Sequence, residues 1–364
     1  MTASVHLIEA VSQRLESFVE GMRVESADSG PEAAALIDAG AAALAGGKRL
    51  RARFCVGGWR AVADQRRPGS ALDDAVLAAG AALEIFHAAA LVHDDVIDNS
   101  DLRRGRPSAH RALERRHRDA GWAGDAASFG RSAAILLGDL LVAWSDDLFE
   151  EGLEATDAAA AAGARREYSL MRRDVTLGQF LDIAEESAFV TQPDDRHADR
   201  ALRVASMKSA RYSVQQPLLI GAALAGADAA QMDALRAFGH PVGLAFQLRD
   251  DVLGVFGDEA VTGKPSGDDL REGKRTVLIA LAREGLPASA RRVIDELVGD
   301  PALEADQIAS LQRTIVDTGA LDRVEELIST YAREADRALA GARLDNAAVG
   351  ELRDLARAAT TRTS

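Results

Sequence analysis

A single cysteine, Cys55, serves the whole chain of 364 residues, so no intrachain disulfide can form. This fits a reducing cytosol. Aromatic residues make up only 4% of the sequence, while alanine is abundant, which favours close helix-on-helix packing over a β-sandwich. Basic residues are in deficit: 43 Lys and Arg against 57 Asp and Glu leave a net charge of -14. This argues against general nucleic-acid binding, which needs a basic face. The N-terminal stretch MTASVHLIEAVSQRLESF carries Glu9 and Glu16 and lacks the apolar core of a signal peptide. No apolar run reaches membrane-spanning length, since Asp139 interrupts Ala133–Trp144. The seven histidines show no paired metal-ligand spacing, which argues against zinc.

What remains is an ordinary composition for a globular protein, 47% hydrophobic and 27% charged, with length for one large domain or two modest ones. Helical periodicity dominates. Leu7, Ile8, Val11, Leu15, Phe18 and Val19 form one stripe. Similar patterns predict helices over Asp74–His93, Arg131–Glu150, Arg165–Glu186, Ala201–Ala225, Gln231–Gly254 and Lys274–Arg283. Further ones follow over Ala288–Val298, Ala305–Asp317, Leu321–Leu339 and Asn346–Ala359. Loops are expected at Ser26–Pro31, Asp64–Ser70, Asp119–Gly130, Thr191–Asp199 and Gly257–Gly273. Pro217 and Pro241 fall inside helical patterns and mark kinks or helix starts. No run shows the period-2 alternation of a strand. With no composition shift to divide it, the chain reads as one all-α domain over residues 1–364.

Two acidic clusters stand out in this apolar helical sequence. The first is His93-Asp94-Asp95-Val96-Ile97-Asp98, followed by Arg103-Arg104-Gly105. Asp94 and Asp98 are four residues apart and share a helix face about one turn apart, while Asp95 projects about 100° away. Two carboxylates on one face repel unless a cation sits between them. Magnesium takes one or two carboxylates plus substrate phosphates and waters. The competing reading, a solvated acidic helix end, fits poorly with the apolar flanks Leu91, Val92, Val96 and Ile97. Arg103 and Arg104 supply guanidinium forks suited to phosphate oxygens. The second cluster is Phe246-Gln247-Leu248-Arg249-Asp250-Asp251. It precedes a glycine-rich, lysine-bearing stretch from Thr262-Gly263-Lys264-Pro265 to Gly273-Lys274-Arg275-Thr276. That stretch resembles a nucleotide-binding P-loop only superficially: Gly257 to Gly263 is one residue too long, and Pro265 replaces the Ser or Thr that would hold magnesium. Upstream, Gly46-Gly47-Lys48-Arg49-Leu50-Arg51 places three cations after two glycines, which let a backbone approach an anion. Together these features point to magnesium-dependent chemistry on a diphosphate.

In this order the motifs resemble the trans-isoprenyl diphosphate synthases, and among them the actinobacterial geranylgeranyl diphosphate synthases. Gly46–Arg51 resembles the family's GGKR-x-R motif, and Glu84–Asp98 with Asp101–Gly105 its first aspartate-rich region. Gly178-Gln179 with Asp182 resembles a mid-chain motif, Lys208-Ser209 stands where the family has Lys-Thr, and Phe246–Asp251 resembles the second aspartate-rich region. The resemblance implies an all-α helical bundle of the isoprenoid synthase type around a central cavity. It also implies head-to-tail condensation of isopentenyl diphosphate with an allylic diphosphate. Mg2+, three ions with substrate bound, would be held by Asp94, Asp98 and Asp250, with Asp251 supporting. Arg103, Lys208, Ser209, Gln247, Lys264 and Lys274 would contact the allylic diphosphate. Lys48, Arg51, His87 and Arg104 would bind isopentenyl diphosphate. A homodimer in the cytoplasm is expected on the same ground.

Several positions depart from the family or have a plainer reading. Gly254 stands where many relatives have a third aspartate, Ala52 where a proline is common, and Thr360–Ser364 lacks a basic ending. Asp182 reads as an outer residue or as a partner for a lysine. The resemblance implies that the residues four and five before Asp94 help form the pocket floor that sets product length. Ala90 and Ala89 are small, and Phe86 lies one turn deeper, about 5.4 Å along the helix, close to one isoprene unit. Phe86 as pocket floor, with Trp144 as a further cap, favours a C20 product over farnesyl or C25 diphosphate. The rivals are a class I terpene cyclase, which lacks the GGKR motif, and a non-catalytic partner subunit, which Asp94, Asp95, Asp98, Asp250 and Asp251 argue against.

Overall fold

The computed structural model describes residues 3–67, 69, 71–258 and 266–361. In chain order the helices are α1 (Ala3–Glu25), α2 (Pro31–Leu44), α3 (Leu50–Arg66), α4 (Asp74–Ile97) and α5 (Ala109–Asp119). They continue as α6 (Ala126–Leu153), α7 (Ala158–Ala188), α8 (His197–Val204), a π-helical segment (Ala205–Gln215) and α9 (Gln216–Leu224). The set closes with α10 (Ala229–Phe256), α11 (Asp268–Glu272), α12 (Val277–Glu284), α13 (Ala288–Leu297), α14 (Ala305–Asp317), α15 (Ala320–Ala338) and α16 (Asn346–Thr360). Short 3-10 turns occupy Ala27–Ser29, Phe189–Thr191 and Asp194–Arg196. Contrary to the expectation of no strands, Leu102–Arg103 and Arg106–Pro107 pair as a two-residue antiparallel hairpin.

Local chemistry explains many boundaries. Asp73, Asp125, Asp157 and Asp345 each accept a backbone N–H at the start of α4, α6, α7 and α16. Asp228 and Gln231 form a reciprocal capping box on α10. The Asp125 and Asp157 caps start α6 and α7 several residues before their apolar periodicity begins. Helices α2, α3 and α5 lack a clear stripe in sequence. Helix α2 buries Ile37, Gly40 and Leu44, α3 buries residues of mixed size including Phe54, Gly58 and Trp59, and ion pairs such as Arg111 to Glu114 at 2.9 Å tie down α5. The predicted continuous helix over 201–225 runs as a π segment into α9, with Pro217 in the first turn of α9. Pro241 lies inside α10.

Helix α4 is the hub, packed against α1, α2, α3, α5, α6 and α9. One apolar cluster joins α1–α7, α9 and the first half of α10, and a second joins the second half of α10 to α12–α15. Leu235, Phe238 and Val242 lie in the first, Leu248, Val252 and Val255 in the second. Contact distances force glycine where helices cross. A Cβ on Gly221 would sit 1.8 Å from the carbonyl oxygen of Cys55, and one on Gly58 2.1 Å from that of Leu218, so α9 presses onto α3 where each helix carries a glycine. The membrane reading needs correction: α4 and α6 are both long and apolar enough to cross a bilayer, because isolated acids leave the mean hydropathy high. Within the fold the apolar window of α4 is 78% buried, that of α6 only 28%.

Candidate active site

A cavity of about 580 Å³ opens between the C-terminal half of α4, the middle of α7, the π segment, α10 and α11. Asp94, Asp250 and Asp251 bring carboxylates to it from two different helices. Asp94 and Asp98 end α4, while Asp250 and Asp251 lie near the end of α10. Lining the cavity are Lys48, Arg51, His87, Ala90, Asp94, Arg103, Lys208, Ser209, Gln247, Asp250, Asp251 and Lys274. Those residues are scattered over more than two hundred positions of sequence. Asp98 lies at the edge, 3.8 Å from the Lys274 ammonium. Arg104 turns back on the upstream loop, where a Cβ on Gly47 would lie 3.3 Å from its guanidinium. Lys264 lies outside the described residues.

On the α4 side, Asp94 Oδ1 accepts from Gln179 Nε2 at 2.9 Å and from Lys208 Nζ at 3.2 Å. Lys208 also donates to Asp182 at 2.5 Å, so Asp182 is paired with a lysine. Lys208 reaches both because α7 touches the π segment through Gly178, where a Cβ would lie 2.4 Å from the Lys208 backbone nitrogen. Such wide turns recur at functional sites. Asp95 points away from the cavity and is almost fully buried against Arg103, which donates from Nε at 2.9 Å. That pair holds Arg103 beside Asp94, at 3.8 Å.

Across the cavity Gln247 Nε2 donates to Asp251 Oδ1 at 2.7 Å. Lys274 is shared among Asp98, Asp269 and Glu272, at 3.8, 3.5 and 2.5 Å. Charge follows from this crowding. Burial opposes ionisation of Asp94, but Lys208, Lys274 and Arg103 hold its pKa below the usual carboxylate value. Asp98 is pushed up to about 6 by burial and then by Asp94. Asp251 is pushed up to about 8, chiefly by burial, with Asp269 and Asp250 adding to it. Burial alone would lower the Lys274 ammonium, yet Asp269, Glu272 and Asp98 hold it well above its ordinary value.

The other end of the cavity is cationic and aromatic. Glu84 Oε1 accepts the backbone N–H groups of Arg51 and Ala52 at 3.1 Å, capping α3 from α4. Arg51 donates to Ser213 Oγ at 2.7 Å and lies 4.3 Å over the Tyr212 ring. His87 Nδ1 is 2.7 Å from the Tyr212 hydroxyl. Burial, with Arg51 and Arg104 nearby, holds His87 neutral well below 6.5. Ala90 faces the cavity. Ala89 is fully packed, and Phe86 is buried edge-on against Tyr212 and Tyr168 at 6.0 and 6.5 Å. Trp144 is not a cap of this cavity: it packs on Phe18 at 6.1 Å and over Gly40, because its helix face points to α1 and α2.

Sequence reasoning assigned no role to Tyr212, Ser213 or Asp269. Tyr212 follows Lys208 by four residues and could have been read from that spacing. Nothing in the linear order sets Asp269 against α10.

The donor set suits magnesium. All the facing acids are hard oxygen ligands, and magnesium needs only one or two of them plus phosphate oxygens. Among the described residues no three His, Cys, Asp or Glu side chains already form a metal cage.

Comparison with known proteins gives a consistent result. The chain is similar to a geranylgeranyl pyrophosphate synthase of Corynebacterium glutamicum, solved with isoprenyl diphosphate and magnesium. The identity is 38%, the TM-score 0.91, and 98% of each chain is covered. It is 39% identical over 202 residues to a geranylgeranyl diphosphate synthase of Mycobacterium tuberculosis, covering 56% of this chain and 51% of that one. It is 30% identical to a short chain isoprenyl diphosphate synthase of Methanocaldococcus jannaschii, covering 73% and 71%. The family model described as polyprenyl synthetase matches residues 34–315, which include the cavity and both acidic helix ends. With its carboxylates converging from α4 and α10 on one cationic pocket, the chain belongs to the polyprenyl synthetase family of prenyltransferases.

Proposed function

We propose that this enzyme condenses isopentenyl diphosphate with an allylic diphosphate and releases chiefly a C20 product, geranylgeranyl diphosphate. The observation that carries the reading is that Asp94 of α4 and Asp250 of α10 line one cavity together with Lys208, Arg103 and Lys274. Magnesium, three ions with substrate bound, would be held by Asp94, Asp98, Asp250 and Asp251 and would draw charge off the leaving diphosphate. Arg103, Lys208, Ser209, Gln247 and Lys274 would orient the allylic diphosphate and receive charge as its C–O bond breaks. Lys48, Arg51, His87 and Arg104 would bind isopentenyl diphosphate, with neutral His87 donating rather than adding charge. The double bond of isopentenyl diphosphate then attacks the allylic carbon, forming the new C–C bond, and a proton passes to the released diphosphate. No protein nucleophile is needed.

Product length is read from Ala90, which lines the cavity, and from Phe86, buried a turn deeper against Tyr168 and Tyr212, which would stop a growing chain there. A homodimer is supported by Ile135 and Leu136 on α6 and Leu177 and Phe180 on α7, large apolar side chains that are 47–66% exposed. Action as one domain is supported by α10, which belongs to both apolar clusters. A cytoplasmic location fits the one buried thiol. The deciding assay is incubation with magnesium, isopentenyl diphosphate and each allylic primer, with product chain length measured. No condensation with any primer would sink the reading. Asp94→Ala should abolish turnover while circular dichroism shows unchanged helix.

A further inference from the structure

Cations around this cavity come in two kinds. Lys208 is shared between Asp94 and Asp182, Arg103 is bound to Asp95, and Lys274 lies among Asp98, Asp269 and Glu272. Carboxylates therefore answer much of their charge before any ligand arrives. Arg51 is different. It lines the cavity at 8% exposure, and among the described residues its guanidinium is ion-paired with no carboxylate. What holds it is neutral. Nη2 donates to Ser213 Oγ at 2.7 Å, and the guanidinium carbon lies 4.3 Å over the Tyr212 ring. Its Nε meets no acceptor among the described residues. We propose that Ser213 positions Arg51 for isopentenyl diphosphate: its hydroxyl fixes the guanidinium without neutralising it, which leaves the positive charge and the other N–H donors for the incoming anion.

Backbone and side chain of Arg51 are fixed separately. Glu84 Oε1 of α4 accepts the backbone N–H groups of Arg51 and Ala52, two donors that the first turn of a helix leaves without partners. Just before them Arg49 takes a left-handed turn at φ +48°, which brings the chain into α3. The head group is fixed from the π segment, where Tyr212 and Ser213 are adjacent and both line the cavity. Tyr212 is itself held, its hydroxyl 2.7 Å from His87 Nδ1. Ser213 is 3% exposed, so water competes little for Arg51. A hydroxyl accepts a hydrogen bond without carrying charge. Asp or Glu at 213 would instead pair with Arg51 and cancel the attraction that a diphosphate needs. An arginine ordered beforehand also loses less side-chain entropy when its ligand binds.

The inference rests on the prenyl-transfer reading above, and the test keeps the two apart. Rates are measured against isopentenyl diphosphate at saturating allylic diphosphate, and the reverse. Ser213→Ala should raise the KM for isopentenyl diphosphate about tenfold, the scale of one hydrogen bond to a charged group. Its kcat and allylic KM should stay within about twofold of the parent, the pattern of lost ground-state binding. Ser213→Cys, close in size but a weak acceptor, should resemble Ser213→Ala, which a role in packing alone does not predict. Calorimetric binding of isopentenyl diphosphate, which needs no turnover, completes a double-mutant cycle. In an Arg51→Gln background Ser213→Ala should add no further loss, because the pair acts as one unit. Circular dichroism on each variant checks the fold. The proposal is overturned if Ser213→Ala keeps the parental KM, if the allylic KM moves as far, if Ser213→Cys matches the parent, or if Ser213→Ala costs the same factor with and without Arg51. A parent protein that elongates no primer would instead remove the prenyl-transfer reading.

Discussion

At the scale of the residue, the site's acids are held in unlike states by their surroundings. Asp94 is kept ionised by Lys208, Lys274 and Arg103, whereas Asp98 is raised to about 6 and Asp251 to about 8. At pH 7 a buried Asp251 therefore retains its proton, and an arriving cation must displace it. Calorimetric titration with Mg2+ and diphosphate in buffers of different ionisation heat should show net proton release at pH 7, much of it lost in Asp251→Asn. The same shift has a sign for stability. A carboxyl raised above its unfolded value of 3.8 stabilises the fold below that pH, and the benefit disappears as pH climbs through about 8. The metal-free protein should melt at a lower temperature at pH 8 than at pH 5, and Asp251→Asn should narrow the difference. An unchanged gap would exclude Asp251 as its source.

At the scale of the element, helices with a single apolar stripe were legible. The pattern at 74–93 locates α4, and the run at 231–254 locates α10. Both acidic motifs fall at the ends of these helices for that reason. Elements without a single stripe left no such trace. Helix α3 is buried on several sides, with Arg51, Phe54, Cys55, Val56 and Trp59 all inside, α2 buries Ile37, Gly40 and Leu44 alone, and the π segment differs from an α-helix only in how its backbone bonds are paired. The candidate site was legible as residue types in order. What sequence could not convey was contact across elements, such as Asp95 with Arg103, Tyr212 with His87, and Asp269 against Gly254. Phe86, one turn before Ala90, is packed between Tyr168 and Tyr212. Phe86→Ala should lengthen the product by about one isoprene unit, since a turn rises about 5.4 Å. It should also cost about 3 kcal/mol of stability through the cavity it leaves. Chain-length analysis beside a denaturant melt reads both, and an unchanged product would remove Phe86 as the floor.

At the scale of the whole molecule, the exposed apolar side chains of α6 and α7 form the feature most in need of a partner. Burial of such groups is the main driving force of stable association. The pair Leu136→Glu and Phe180→Glu should shift the protein to a monomer in sedimentation velocity while its helix content is kept. Sedimentation of the parent protein as a monomer would refute the dimer directly. The close meeting of α3 and α9 has a different consequence. Beneath it the Cys55 thiol has no exposure, and burial raises its pKa to about 12. A thiol that is both hidden and protonated is silent to alkylating reagents. Cys55 is therefore a built-in clock for separation of these two helices: its modification rate reports how often the bundle opens. Saturation with magnesium and diphosphate should slow that clock by as much as they raise the free energy of opening.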